Sequence, residues 1–431
     1  MTLGLVVLLL LVLVLIGAPL FLVIGAVSLG LFWMGNDVEL FSLTKTMFDS
    51  LNKPALLSIP LYVFAGALMS RGEIAKRLID LAMAALGWVR GGLAAGAVMA
   101  CVLFAAISGS SPVTLIAIGT IMYPAMIQKG YPDKMALGVL TVSGSLGILI
   151  PPSIPMIIFS IVTGTDVNKL FIAGIVPGIL TALLIILLAL FLGLRLEIST
   201  QPFSAKNLVT AFWRGIPALL LPVLILGGIY SGIYNVTEAA AVGAVYAIGV
   251  EMLFFKSLKI KDIGDTLHDS VMVMGTIFII IAMATVFNYY LVLQEAPFWL
   301  LENLEKFITS QTMFLLVTMG ILLVVGLFMD SISAVLILAP LLLPTALLYE
   351  VDPIHLGIVF ILGLEIGYLT PPVGVNLFVS AGVFNKPFGR VVVAALPYLL
   401  MVLLALIIVA FVPELTFLLI SGSDSPAAGT E

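Results

Sequence analysis

The sequence predicts an all-α polytopic membrane protein built from two inverted repeats, with about nine spanning helices and two re-entrant helical hairpins. Three observations predict it. Of the 431 residues, 62% are hydrophobic and 10% charged, whereas a soluble domain is about a quarter charged. Apolar runs long enough to cross a hydrocarbon core of about 30 Å recur from one end to the other. The chain also repeats itself at an offset of 220 residues.

The opening run, Met1 to Trp33, lacks the basic region and small-residue cleavage site of a secretory signal and reads as a retained first helix. Further apolar segments lie at 54–70, 89–128, 134–162, 167–194, 215–234, 236–256, 270–293, 308–349, 354–384 and 390–420. Segments 89–128 and 308–349 are too long for one crossing and are interrupted by SGSSP and MDSIS, so each reads as a hairpin. Lys and Arg beside short loops mark the cytoplasmic side. Arg90 precedes the first hairpin and Lys129 and Lys134 follow it, so it enters and leaves on that face. The second is flanked by Glu302, Glu305, Glu350 and Asp352 with Lys306 as the one base, and reads as re-entrant from the opposite face.

With both hairpins non-crossing, the other basic clusters share one side: Arg71, Lys76 and Arg77; Arg195, Lys206 and Arg214; Lys256, Lys259 and Lys261; Lys386 and Arg390. Nine crossings remain, with a cytoplasmic N-terminus and a periplasmic C-terminus. Trp33, Trp88, Trp213 and Trp299 sit near segment ends, as interfacial aromatics do. The stretches 36–53, 72–87, 257–269 and 294–307 mix apolar and charged residues and read as helices lying along the interface.

The repeat holds its register without a gap. Ser111 aligns with Ser331, Pro124 with Pro344, Gly147 with Gly367, Pro151 and Pro152 with Pro371 and Pro372, Ser160 with Ser380, and Pro177 with Pro397. Shared apolar composition would match Leu and Val at scattered places, not prolines and glycines at helix breaks. The extra crossing at 215–234 makes the second half enter from the opposite side. Inverted repeats with broken helices belong to secondary transporters, whose sites lie near the midplane where the repeats meet.

Several chemistries are excluded. Cys101 is the only cysteine and reads as a buried small hydrophobe. His268 and His355 are the only histidines, and neither an HExxH helix nor a GxxxxGK[ST] phosphate loop is present. No Ser–His, paired-aspartate or metal constellation falls within the spans, so no enzyme is indicated, and a net charge of −5 does not suit a nucleic acid. Energy must then come from an ion gradient or a partner.

GSLGILIPPSIP from Gly144 and EIGYLTPPVGVN from Glu365 put glycine and a proline pair at mid-membrane depth. Proline there removes a backbone donor and frees carbonyls, and such a break survives in a bilayer only where it lines a cavity or holds a ligand. Sodium takes oxygen ligands from unwound carbonyls and hydroxyls. The ion candidates are Ser108, Ser110, Ser111, Ser145, Leu149 and Pro151 in the first half and Gly326, Met329, Ser331, Gly367, Thr370 and Val373 in the second. Serines that merely cap helices and prolines that merely kink them are the plainer alternative. Candidates for the solute are Ser110, Ser153, Asp330 and Asn376. Asp330 can equally cap the following helix, and Asn376 can equally bridge two helices. Glu365, one turn before the second break, has no assignable role, and Glu238 reads as a favourable first-turn charge. The tips contain no Lys or Arg, so an anionic solute would be held by amides and hydroxyls there.

These residues resemble the large membrane subunit of the tripartite ATP-independent periplasmic (TRAP) transporters. The likeness rests on ISGSSPVTLIAIGTIMYPAM from Ile107, GYPDKMALGV from Gly130, GILIPPSIPMIIFS from Gly147, YSGIYNVTEAAAVGAVYA from Tyr230, FMDSISAVLILAPLLLP from Phe328 and YLTPPVGVNLFV from Tyr368. It implies a sodium-coupled elevator of the bacterial inner membrane, without other cofactors. Residues 89–166 and 308–386 would form the moving transport domain, and 1–88, 167–307 and 387–431 the scaffold. A small four-helix membrane subunit, here a separate chain, and a soluble periplasmic binding protein would be its partners, and an organic acid such as a C4-dicarboxylate or a sialic acid its cargo. The family's second sodium site carries over to Gly326, Gly367, Thr370 and Val373. The alternatives are a stand-alone sodium-coupled anion symporter and a channel.

Overall fold

A computed structural model describes residues 20–35, 40–196, 202–295, 308–327, 329–372 and 374–420, and every regular element among them is helical. Residues 1–19 of the first segment, Trp299 and most of the 294–307 stretch, and Val373 lie outside the described residues. The first part comprises α1 (Leu20–Gly35), α2 (Leu40–Leu51), α3 (Ser58–Arg71) and α4 (Ile74–Leu86). The first hairpin follows as α5 (Gly92–Ser108) and α6 (Ser111–Gln128), then an interrupted helix as α7 (Asp133–Ser145) and α8 (Ile154–Thr163). Next come α9 (Val167–Gly193), α10 (Ala205–Tyr230), α11 (Val236–Gly249) and α12 (Ile260–Leu293). The second hairpin is α13 (Gln311–Gly326) and α14 (Ser331–Leu348), the second interrupted helix α15 (Pro353–Tyr368) and α16 (Val375–Val383), and the chain closes with α17 (Phe388–Phe411) and α18 (Glu414–Phe417).

Eight helices among the described residues are long and apolar enough to cross a bilayer, two of them the second hairpin arms α6 and α14. The interrupted segments are absent from that group because their pieces, such as α7 with 13 residues and α8 with 10, each rise less than a bilayer's thickness. One element differs from the sequence reading. The 257–269 stretch is not a separate interfacial helix: the Lys259 amide donates to the Asp262 carboxylate at 2.8 Å where α12 starts, and the helix runs unbroken for 34 residues. At 1.5 Å per residue it is about 51 Å long, so its charged first turns extend beyond the hydrocarbon layer.

The repeat is visible in the packing. Arm α6 of the first half lies against α16 of the second, and α14 of the second lies against α8 of the first. Likewise α7 packs on α17 while α9 packs on α15, and α3 meets α6 as α12 meets α14. Such reciprocal exchange is what a two-fold relation between the halves produces. The Ser145 hydroxyl donates to the Glu365 carboxylate at 2.7 Å, and these positions are 220 residues apart, so a residue touches its own repeat equivalent where the halves meet.

The basic clusters also converge. Lys386 and Arg390 reach Asp133 at 3.2 and 3.6 Å, which brings the turn after α6 beside the start of α17. Arg71 pairs with Asp269 at 2.6 Å and donates to the Thr266 hydroxyl. Arg77, Lys129 and Arg214 line one groove. Basic residues from several of the short loops thus meet carboxylates or one another across the fold.

The arm α4 is pinned from a distance. Its own N-cap makes no side-chain hydrogen bond. Instead the fully buried carboxylate of Glu251, in the π-turn Val250–Phe254 after α11, accepts the amides of Glu73 at 2.8 Å and Ile74 at 2.9 Å, and also the Ser257 hydroxyl. It satisfies the open amides of a helix start and complements the dipole there. Glu251→Ala leaves two buried amides unpaired and is expected to cost about 2–4 kcal/mol. Thermal unfolding of the detergent-solubilised protein checks this: a melting temperature equal to that of the unaltered chain would refute the pin.

Candidate functional site

Each hairpin tip is folded against the break of its own half. In the first, Gly109 turns the chain with φ +60°, and α6 begins at Ser111 followed by proline, whose missing amide costs nothing at a helix start. Ser108 and Ser111 are fully buried. The Ser108 hydroxyl is 2.8 Å from that of Thr114, which donates to the Ser110 carbonyl at 2.9 Å. Ser111 donates to the Gly144 carbonyl at 3.3 Å, at the end of α7.

The break itself runs from Leu146 to Ser153. The 3-10 turn Leu146–Ile148 loosens the end of α7, and Ser153 caps α8 by accepting the Met156 amide while donating to the Ile148 carbonyl. Among the described residues, no backbone amide is donated to the carbonyls of Leu149, Ile150 or Pro151. The tip reaches in very closely. A Cβ on Gly147 would sit 2.6 Å from the Ser110 carbonyl oxygen, so only glycine admits the contact.

The second half repeats the arrangement with other chemistry. Gly326, the last residue of α13, meets Gly367 backbone to backbone: a Cβ on Gly367 would lie 2.5 Å from the Gly326 Cα. The Thr370 hydroxyl donates to the Ile366 carbonyl at 2.7 Å, which keeps its lone pairs free for a cation. Asp330 is the cap of α14, accepting the Ser333 amide at 3.0 Å and its hydroxyl at 2.7 Å, and is half-buried. Met329 lies beside it, also half-buried. Ser331 donates to the Tyr368 hydroxyl at 3.0 Å.

Two cross-links join the halves at this level. Asn376, fully buried in the first turn of α16, donates through Nδ2 to the Ser111 hydroxyl, and its Oδ1 has no hydrogen-bond partner. Glu365 is fully buried with Ser145 on one oxygen and no partner on Oε2. Asn376 therefore bridges helices, as one of its two sequence readings had it. Glu238 completes a capping box with Asn235 at the start of α11, in keeping with a first-turn role.

Both tips open into one cavity of about 310 Å³. Gly109, Ser110 and Ser111 line it from the first tip and Ser331 and Tyr368 from the second, while Val63 of α3 and Asp269 of α12 form the far wall. The structure thus brings Ser110, Ser111 and Ser331 to the cavity, and leaves Asn376 one hydrogen bond behind it and Asp330 one residue from it. Sequence reasoning missed Tyr368 and the Arg71–Asp269 pair. Asp269 was read as part of an interfacial stretch, and nothing local announces that α12 carries it to this wall.

The arrangement sets hydroxyls and the Asp269 carboxylate in a largely apolar cavity, and among the described residues no three of His, Cys, Asp and Glu gather to hold a metal ion. A family model for the tripartite ATP-independent periplasmic transporter DctM component matches residues 7–415. This chain belongs to that family. As a TRAP large permease it is a transporter and not an enzyme. It is 40% identical over 396 residues, 92% of each chain, to the C4-dicarboxylate TRAP transporter large permease protein DctM of Pseudomonas aeruginosa. It is 33% identical to the isethionate TRAP transporter permease protein DctMQ of Oleidesulfovibrio alaskensis, over 93% of this chain and 63% of that one. Among solved structures, the YdaH transporter of Alcanivorax borkumensis, at 15% identity, superposes with a TM-score of 0.63 over 90% of this chain and 91% of that one, and so shares the fold.

The glycine contact gives a test on the TRAP permease itself. Gly367→Ala drives a methyl into the Gly326 backbone and is expected to cost about 3 kcal/mol of stability. Gly382→Ala meets nothing within 4 Å and serves as the control. Equal melting temperatures for the two variants would show that the backbones do not touch.

Proposed function

We propose that this chain is the permease of a sodium-coupled TRAP transporter that takes up a C4-dicarboxylate by elevator-type alternating access. The observation that supports the reading best is the convergence of both tips and both breaks on one cavity, with the Leu149 and Pro151 carbonyls unpaired at one break and the Gly326–Gly367 contact at the other. Unpaired carbonyls at mid-membrane depth are tolerable when a cation takes them. One ion is assigned to Ser108, Ser110, Ser111, Ser145, Leu149 and Pro151, the other to Gly326, Met329, Ser331, Gly367, Thr370 and Val373. The solute lies in the cavity against Ser110, with Ser153, Asp330 and Asn376 shaping the tips around it.

The C4-dicarboxylate rests on the name of the relative at 40% identity. The cavity lining is largely apolar, and the hydroxyls of Ser110, Ser111, Ser331 and Tyr368 are among the donors it offers a solute. Asp269 on the cavity wall pairs with Arg71 at 2.6 Å. Residues 89–166 and 308–386 move as one body against 1–88, 167–307 and 387–431. A separate small four-helix subunit braces that scaffold in the bacterial inner membrane, with the N-terminus cytoplasmic and the C-terminus periplasmic, and a soluble periplasmic binding protein delivers the cargo.

Reconstitution with the small subunit in vesicles tests this. Uptake of labelled succinate is expected only with an inward sodium gradient and with the binding protein present. Uptake that persists without the binding protein would instead make the chain a stand-alone symporter, and flux that neither saturates nor follows sodium would make it a channel. Thr370→Ala, which removes one ligand, is expected to raise the sodium concentration for half-maximal uptake roughly tenfold, and Ser110→Ala less, at unchanged expression. An unaltered sodium requirement in both variants removes the proposed ion sites.

A further inference from the structure

A second cavity, about 380 Å³, lies away from the tips, where α4, the first turn of α5, the turn after α6 and the start of α10 meet. We propose that it holds the phosphate headgroup of an anionic phospholipid, so that one lipid bridges the arm α4 and helix α10 to the base of the first hairpin.

The charges are laid out for an anion. Arg77, Lys129 and Arg214 line the groove against one carboxylate, Asp80. Burial pushes the Asp80 carboxyl above its ordinary range, with Arg77 and Arg214 opposing. Arg77 is fixed by Glu73 at 3.5 Å and by the Phe255 ring, 5.4 Å from its guanidinium carbon, yet its Nε is buried without a hydrogen-bond partner. Lys129 and Arg214 have no carboxylate within ion-pair distance among the described residues. A buried guanidinium nitrogen left without an acceptor is costly, and a phosphate oxygen supplies one.

The rim says what carries the phosphate. Trp88 and Phe203 meet edge to face at 5.5 Å at the mouth, and Phe212 and Trp213, both exposed, continue from there along α10. An amphipathic aromatic rim beside a cationic pocket matches a headgroup with acyl chains leading away, and suits it better than a soluble anion or an acidic protein surface. The charge pattern puts this face at the cytoplasmic leaflet, where anionic lipids are found. The groove is shared by both bodies of the proposed elevator, so an occupied groove would tie them together there.

Native mass spectrometry of the delipidated full chain tests this with dioleoyl phosphatidylglycerol, dioleoyl phosphatidylcholine and inorganic phosphate as separate probes. The phosphatidylglycerol adduct is expected to survive and the phosphatidylcholine adduct to be lost. The double variant Lys129→Ala/Arg214→Ala is expected to weaken phosphatidylglycerol binding roughly thirtyfold, and Lys261→Ala, outside the groove, to leave it unchanged. Equal retention of the two lipids, or a double variant that binds as the unaltered chain does, overturns the proposal. Retention of inorganic phosphate without preference for phosphatidylglycerol reassigns the groove to a soluble anion, and a co-purified protein that shields Lys129 from amine labelling reassigns it to a protein partner; either result overturns the lipid.

Discussion

A backbone carbonyl in hydrocarbon needs a partner, and at the first break those of Leu149, Ile150 and Pro151 receive no backbone amide from the described residues. The proline pairs at 151–152 and 371–372 end the helical ladder there, and in each half a hairpin tip closes over the break. The closeness of that closure depends on missing side chains: Gly147 beneath the Ser110 carbonyl, Gly326 against Gly367. Remove the close approach and the freed carbonyls face lipid or water and not one another's half-helices. The cavity, the cap on α14 and the cross-links through Asn376 and Glu365 all presuppose it.

Around this centre the two halves are interlocked and not merely adjacent. Each hairpin's second arm rests on the second piece of the other half's broken helix, while its tip closes on the break of its own half. Most polar groups there bond within their own turn, while Ser111 with Gly144 and Asn376, Ser145 with Glu365, and Ser331 with Tyr368 reach across segments. Asn376 Oδ1, Glu365 Oε2 and Ser380 Oγ are buried there without a hydrogen-bond partner.

Much of this was readable from residue order because its causes are local. Proline and glycine act on their own backbone, so the breaks, the tips and the 220-residue register appeared directly, and arm α6 and its repeat counterpart α14 start at equivalent residues, Ser111 and Ser331. Loop charges from distant segments meet in the Arg71–Asp269 and Lys386–Asp133 pairs. What stayed hidden depends on contacts between distant segments. Glu251 caps a helix 178 residues upstream, and Tyr368 becomes a tip residue only through Ser331. The continuity of α12 was masked because its charged first turns look interfacial by composition, while its length is decided by the Asp262 carboxylate on the Lys259 amide and by packing on α1, α3 and α14. For Asp330 and Asn376 the fold shows the cap on α14 and the bridge to Ser111, contacts set by which distant segments stand opposite them.

The central claim is that both tips and both breaks travel as one rigid body. Spin labels at Gln128 and Leu348, the repeat-equivalent ends of the hairpin arms, report distances inside that body, and a label at Lys206 reports its position against the scaffold. In pulsed dipolar spectroscopy of the reconstituted permease with its partners, adding sodium, binding protein and succinate should shift the Gln128–Lys206 distance distribution while the Gln128–Leu348 distribution stays fixed. A Gln128–Leu348 distance that changes while Gln128–Lys206 holds would mean that the tips part from each other, and the single moving body would have to be abandoned.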